Sequence, residues 1–234
     1  MATLLSICQD ATDVIGLPRP TAVASSTDQT TRTLLGCARR SGVALARFWG
    51  WSDLLREHTF TSTAAMVQAS GIPSDWDGRM VSGTFWNRTQ RRPVRGPLNS
   101  QEWQQIQASG VQVVTDAFRI RDGALEIVPT PNGTDTYAYE YISKHWCETS
   151  GGTGLATWAA DTDVPRLDDR LLVLGTVWRF LQGRGLDYQM AMQEYNMEVM
   201  NAVARDGTRR VVSLSGDASN GARIPEIPEG SWAL

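Results

Sequence analysis

The stretch Asp161–Arg205, DTDVPRLDDRLLVLGTVWRFLQGRGLDYQMAMQEYNMEVMNAVAR, decides how the chain reads. Leu167, Leu171, Leu174, Val177, Trp178 and Leu181 recur at helical spacing, with Asp168, Arg170 and Arg179 between them. Asp163 and Pro165 offer helix-start chemistry: an acceptor for unpaired amides, then a ring tolerated only in the first turn. Gly183 and Gly185 end this helix. A second helix follows in which Leu186, Met190, Tyr195, Val199 and Val203 share a broad face. Nothing in the pair carries chemistry. It reads as a scaffold.

Working outward, two more helices are predicted near the amino terminus. Thr3 caps the first, whose stripe is Leu4, Ile7, Cys8, Ala11, Val14 and Ile15, and Gly16 with Pro18 and Pro20 stops it. After a Pro/Ser/Thr linker over 17–27, Asp28 opens the second. There Leu34, Leu35, Ala38, Leu45, Ala46 and Phe48 alternate with Arg32, Arg39, Arg40 and Arg47, and Trp49 and Trp51 close the end against the core. Gly36 and Gly42 weaken its interior, each by up to about 1 kcal/mol relative to alanine.

Between these helical ends the period changes. HTFTSTAAMVQAS is β-branched, Pro73 and Asp75 mark a turn, and MVSGTFWNR and RRPVRGPL flank a hairpin tip at 87–92. Asn99 or Ser100 caps a short helix with Glu102 and Trp103 in its first turn. AFRIRDGALEIVPTP is a hairpin around Asp122-Gly123, a type I′ signal because both turn residues must accept positive φ. TYAYEYISKHW alternates again and is expected to pair nearby. The predicted fold is α+β: a helical bundle from 1–56 and 161–206, a β-rich insertion over 57–160, and an extended carboxy-terminal tail over 207–234. That tail is too rich in Gly, Pro and Ser to offset its ordering entropy alone. Its apolar residues Ile224, Ile227, Trp232 and Leu234 suit a segment that orders on a neighbour.

A net charge of -3 gives no bulk drive toward nucleic acid or anionic membrane. Nine tryptophans favour large packed surfaces or interfaces. Cys8, Cys37 and Cys147 form no CxxC pair and read as reduced core thiols of a cytosolic setting. The amino-terminal residues lack a basic n-region, and Gln9, Asp10 and Asp13 interrupt their apolar run, so neither a signal peptide nor a membrane span is expected.

No catalytic, cofactor or metal residue is predicted. Asp161, Asp163, Asp168 and Asp169 form an acidic cluster, but a calcium loop there would have Pro165 at its fifth position, Arg166 for its glycine and Leu172 for its late glutamate. Helix capping is the preferred reading. His58 and His145, each in a predicted strand, lie in no HExxH or CxxC context. Ser143, His145 and Glu148 lack a GxSxG elbow, and no Walker loop or GxGxxG occurs. Arg88, Arg91, Arg92 and Arg95, beside Trp86, are the densest cations. They fit a nucleic-acid surface, or a solvated hairpin paired with an acidic partner. The second is preferred because the rest of the chain is acidic.

The order and spacing of LLSICQDATDVIGLPRP, the W-x-W element at Trp49–Trp51, IPSDWDG, FWNRTQRRPVRGPLNSQEW, FRIRDGALEIVPTP, YEYISKHW and DTDVPRLDDRLLVLGTVWRF resemble head-to-tail adaptor (connector) proteins of tailed bacteriophages. The tail tubular protein A type of short-tailed phages is among them, and the resemblance covers most of residues 1–206. It implies a structural virion protein, not an enzyme, with no cofactor. Such a protein is a dodecameric ring beneath the portal protein that extends the DNA channel and docks a tail tube or nozzle protein. By position, Leu167–Leu181 and Leu186–Ala204 are implied as ring-forming helices, and Val211–Leu234 as the portal-binding tail, with Ile224, Ile227, Trp232 and Leu234 as its anchors. Arg88, Arg91, Arg92 and Arg95 are implied to contact a tail protein or an adjacent subunit. DNA passes non-specifically, no membrane is engaged, and the location is the head–tail interface of the virion after synthesis in the host bacterial cytoplasm. The alternative is a carbohydrate-active tail enzyme, using acids such as Glu140 and Glu148, or a glycan-binding accessory with Trp86, Trp103, Trp146 and Trp158 exposed together.

Overall fold

The structure, a computed structural model, describes residues 2–109 and 115–206. In chain order the elements are α1 (Leu4–Ile15), α2 (Gln29–Phe48), a 3-10 turn (Ser52–Leu54), β1 (Leu55–Thr61), β2 (Val67–Gln68), β3 (Trp76–Met80), β4 (Trp86–Asn87), β5 (Arg92–Pro93), α3 (Ser100–Ser109), β6 (Ala117–Arg121), β7 (Ala124–Val128), β8 (Thr136–Ser143), β9 (Cys147–Glu148), β10 (Gly154–Leu155), β11 (Val164–Pro165), α4 (Asp169–Gly183) and α5 (Gln189–Asp206). The chain is α+β, as expected.

Local start signals are used where the sequence places them. Thr3 and Ser6 cap α1 reciprocally, and Gly16 ends it in the left-handed conformation at φ 78. Asp28 accepts from the Thr31 amide at 2.8 Å to open α2. Asn99 and Glu102 exchange amide bonds of 2.8 and 3.0 Å at the start of α3.

The start of α4 differs from expectation. The helix begins four residues beyond Pro165, with Asp168 as its cap, while Pro165 pairs in β11 against β9. Asp161 and Asp163 instead hold loops and the first turn of α1. The Asp161 carboxylate accepts from the Val23 and Ala24 amides, and that of Asp163 from Ala159 and Ala160. Their main-chain carbonyls take the Leu5 and Leu4 amides, which a helix start leaves unpaired. The acids do cap orphan donors. The donors belong to other segments, which spacing alone does not reveal.

Helix α4 packs against α1, α2 and α5. It buries Leu171, Leu172, Gly175, Thr176, Val177 and Phe180, so apolar contact runs round it and no single stripe describes it. At Gly175 a methyl would stand 3.1 Å from Tyr195 and 3.2 Å from Ser41, which marks the close crossing with α5 and α2. In α5 the buried line is Tyr195, Val199 and Ala202. Leu186 and Met190, expected to share that face, are exposed, as is Val14 of α1. Trp51 closes the end of α2 by donating its indole N–H to Leu45 at 2.7 Å, but Trp49 turns outward. Trp146 and Trp158 lock the far side of the same core, edge to face at 4.9 Å between ring centroids.

Strand β8 organises the β structure. One edge pairs with β1 along its length, and the other is shared by β3 and β4. Its partners therefore lie far earlier in the chain, where the expectation places them nearby. Tyr137, Tyr139 and Tyr141 enter an aromatic core with Phe60, Phe85 and Phe118. Ile142, on the opposite face, joins the helical core, so one strand belongs to both. The β6–β7 hairpin turns at Asp122 and Gly123 with φ of 51 and 70, as a type I′ turn requires. His145, predicted in a strand, lies between β8 and β9.

Cys8, Cys37 and Cys147 are free and buried. Burial pushes the Cys8 and Cys147 thiols up to about 12, with Asp161 and Asp163 respectively adding to it, and raises Cys37 as well. The folded state keeps these protons while the unfolded chain releases them above 9.0. Stability should therefore be undiminished below that pH and fall above it, by about 1.4 kcal/mol per pH unit for each fully buried thiol. Denaturation midpoints at about pH 8 and about pH 10.5 check this. A thiol that reacts stoichiometrically and fast with an aromatic disulfide in the native protein would contradict it.

Candidate functional site

The cation-rich sequence WNRTQRRPVRGP folds into the β4–β5 hairpin, laid along β8 with Trp86 opposite Ala138 and Asn87 opposite Tyr137. Its tip stands on a buried polar network. Asn87, 0% exposed, donates from Nδ2 to Asp116 Oδ2 at 3.0 Å and Asp135 Oδ2 at 2.9 Å. Asn87 Oδ1 accepts from the Gln90 amide at 3.0 Å, and Gln90 Nε2 reaches Asp135 at 2.6 Å. The Tyr137 hydroxyl donates to Asp116 at 3.0 Å, and Asn132 donates to Asp135 at 3.2 Å. Burial, then the neighbouring Asp116 and Asp135, hold the Tyr137 hydroxyl protonated far above its ordinary range. Two buried carboxylates thus fix the register and direction of the tip from below.

The structure places Arg88, Arg91 and Arg92 on this hairpin and Arg95 just past it, bridged to β6, and gives the four different tasks. Arg92 points inward and binds Asp116 Oδ1 at 2.7 Å, supplying the network with its cation. Arg88 pairs with Glu57, and Arg95 with Glu102 at 3.4 Å, all largely exposed. Such surface pairs contribute roughly 0–1 kcal/mol, so a partner can exchange into them. Arg91 sits at the crest in left-handed backbone, φ 54, exposed and without an ion pair among the described residues. The cation cluster was legible in sequence. The residues beneath it were not, because positions 87, 116 and 135 share no local spacing: the β4–β8 pairing carries Asn87 to Asp135, and the bridge from Arg95 to the start of β6 carries Asp116.

Ile224, Ile227, Trp232 and Leu234 lie outside the described residues. The described chain ends at Asp206, whose carboxylate accepts from the Ser52 amide at 3.2 Å. Beside it a groove is lined by Leu45, Trp51, Leu167, Leu171, Ala202 and Arg205.

Other chemistries meet specific geometry. The Ser143 hydroxyl donates to Asp75 at 2.6 Å, Tyr141 donates to the other oxygen of Asp75 at 2.7 Å, and Glu148 is held by Arg166 at 2.9 Å. Only the His145 main chain reaches the Ser143 oxygen, so the hydroxyl has no imidazole base. Glu140 stands opposite Glu57 on the β1–β8 ladder, beside Trp86 in a shallow groove. The two acids lie side by side on one sheet face, not on facing walls, and Arg88 binds Glu57. Trp103, Trp146 and Trp158 are buried, which removes the exposed tryptophan platform. Among the described residues no three His, Cys, Asp or Glu side chains come together as a metal group, and no helix is long and apolar enough to cross a membrane.

The model of the SU10 adaptor protein matches residues 2–222. The chain belongs to the SU10 adaptor protein family. The resemblance to phage head-to-tail adaptors, drawn from the order of aromatic and turn motifs, is borne out over nearly the whole chain. Membership makes this adaptor a structural component of the phage particle that interacts with other head and tail proteins. No curated protein matches this chain.

Proposed function

We propose that this adaptor is a structural protein, not an enzyme, and forms a ring of about twelve subunits seated between the portal and the tail, where it extends the DNA channel. The reading rests on the family match across residues 2–222, which spans helices, sheets and the start of the segment beyond Asp206. In it the helical parts, 1–56 and 161–206, build the ring wall, and the β-rich part, 57–160, carries the contact hairpin. Arg88, Arg91 and Arg95 meet a tail tube or nozzle protein or an adjacent subunit, with Arg92 holding the hairpin from within. Residues 207–234 clasp the portal through Ile224, Ile227, Trp232 and Leu234. DNA passes without specific contact, since a wall with few phosphate contacts lets the polyanion slide. Assembly follows synthesis in the host bacterial cytoplasm.

Mixing the purified chain with portal protein and measuring the mass of the complex tests this. A closed ring of adaptor on portal is expected, and persistent failure to bind would overturn it. Deleting Ile224–Leu234 is expected to leave the melting temperature of the monomer unchanged and to weaken portal association. A large fall in melting temperature would show that the segment serves the fold instead.

A further inference from the structure

The outer side of α5 has no partner among the described residues. Met190, Met197 and Met200 are 74%, 63% and 63% exposed, and Leu186 continues their band ahead of the helix. Asp187 and Glu194 border the band, and no Lys or Arg occurs from 186 to 204. The outer side of α2 has the opposite character. Arg32, Gly36, Arg39, Arg40, Val43 and Arg47 fall within about 100° of the helix circumference, and α2 holds no Asp or Glu. Arg39 is engaged on the Trp158 carbonyl at 2.9 Å. Arg32, Arg40 and Arg47 make no ion pair or side-chain hydrogen bond among the described residues. A methyl at Gly36 would meet nothing within 4 Å, so this glycine, costly in a helix interior, answers to no neighbour among the described residues.

The spacings also match. Asp187 and Glu194 are seven residues apart, as are Arg32 and Arg39, and Arg40 and Arg47. Each arginine interval is about 10.5 Å along α2, and Asp187 stands just ahead of α5, where its carboxylate accepts from the Gln189 amide. We infer that the methionine face of α5 in one subunit docks on the arginine-bordered face of α2 in the next copy, with Glu194 meeting Arg40 and Gly36 admitting a methionine side chain. This rests on the ring reading and assigns its subunit contact. Two different patches of one chain make a heterologous contact, the kind that closes into a ring when its rotation divides the circle. Methionine suits it because an unbranched thioether fills irregular gaps, and the charged border selects the register.

Sedimentation of the full chain, alone and with portal protein, tests the pairing through a charge swap. Glu194→Arg and Arg40→Glu are each expected to lower the assembled fraction about tenfold, and the double variant to recover to within about threefold of wild type. All are surface changes, and unchanged melting temperatures confirm folding. Should a reversal unfold the chain, mixing separately prepared Gly36→Cys and Met197→Cys proteins under oxidation is expected to give a disulfide-linked dimer, which neither forms alone. Singles that assemble like wild type, a double no better than the singles, or no mixed disulfide overturns this contact while leaving the ring intact. A wild-type chain that never associates, with or without portal protein, overturns both.

Discussion

Replacing Gly42 by alanine is expected to destabilise the adaptor by about 3 kcal/mol, the upper range for overpacking a core. The new methyl would fall on the Cη2, Cζ3 and Cζ2 atoms of Trp146. That ring cannot swing aside cheaply. It is fully buried, stands edge-on against Trp158 at 4.9 Å, and donates its indole N–H to Ala156 at 2.7 Å. The same replacement at Gly36 is expected to stabilise the subunit by up to about 1 kcal/mol, since only helix propensity changes where no neighbour stands. Opposite signs from one substitution in one helix, read by chemical denaturation, isolate the contact from the propensity. A neutral Gly42→Ala would mean that Trp146 is not packed on α2 as described.

Asn87→Ala is expected to cost about 3 kcal/mol, because a buried donor shared by two carboxylates is lost and both acceptors remain buried. Asp116 and Asp135 are each 3% exposed, and Arg92 reaches only the first. Arg88→Ala and Arg91→Ala should each stay within roughly 0.5 kcal/mol of wild type, as exposed side chains in weak pairs or none. Denaturation midpoints separate the two classes. If Asn87→Ala matched the surface variants, the network would not be what holds the hairpin. If Arg91→Ala left stability unchanged but weakened assembly, the crest would be doing contact work.

The parts of the fold legible in sequence were those decided within a few residues. Thr3, Asp28 and the Asn99–Glu102 pair cap helices because the donor and acceptor are neighbours in the chain. Asp122-Gly123 turns the hairpin because positive φ is a local demand. What escaped the reading was decided by distant partners. Asp161 and Asp163 looked like the start of α4, yet the Asp161 carboxylate serves the Val23 and Ala24 amides, and the main-chain carbonyls of the two acids take those of Leu5 and Leu4. Helix α4 shows no clean stripe because α1, α2 and α5 all bury it. Leu186 and Met190 looked like core and face outward, which apolar character alone cannot distinguish from an interface. At the candidate site, the arginines were visible as a cluster. Their support was not, since Asn87, Asp116 and Asp135 come together only through two long-range contacts, β4 on β8 and Arg95 on the start of β6.

The family match covers residues 2–222 and is not confined to one short motif, which suits a protein whose work is contact. The most direct measurement of that work is a low-resolution image of the assembled particle, compared with one lacking the adaptor. A ring of density directly beneath the portal, around the channel axis and absent without the adaptor, is the predicted result. Adaptor density off the axis, or a portal that joins the tail unchanged when the adaptor is missing, would contradict the account.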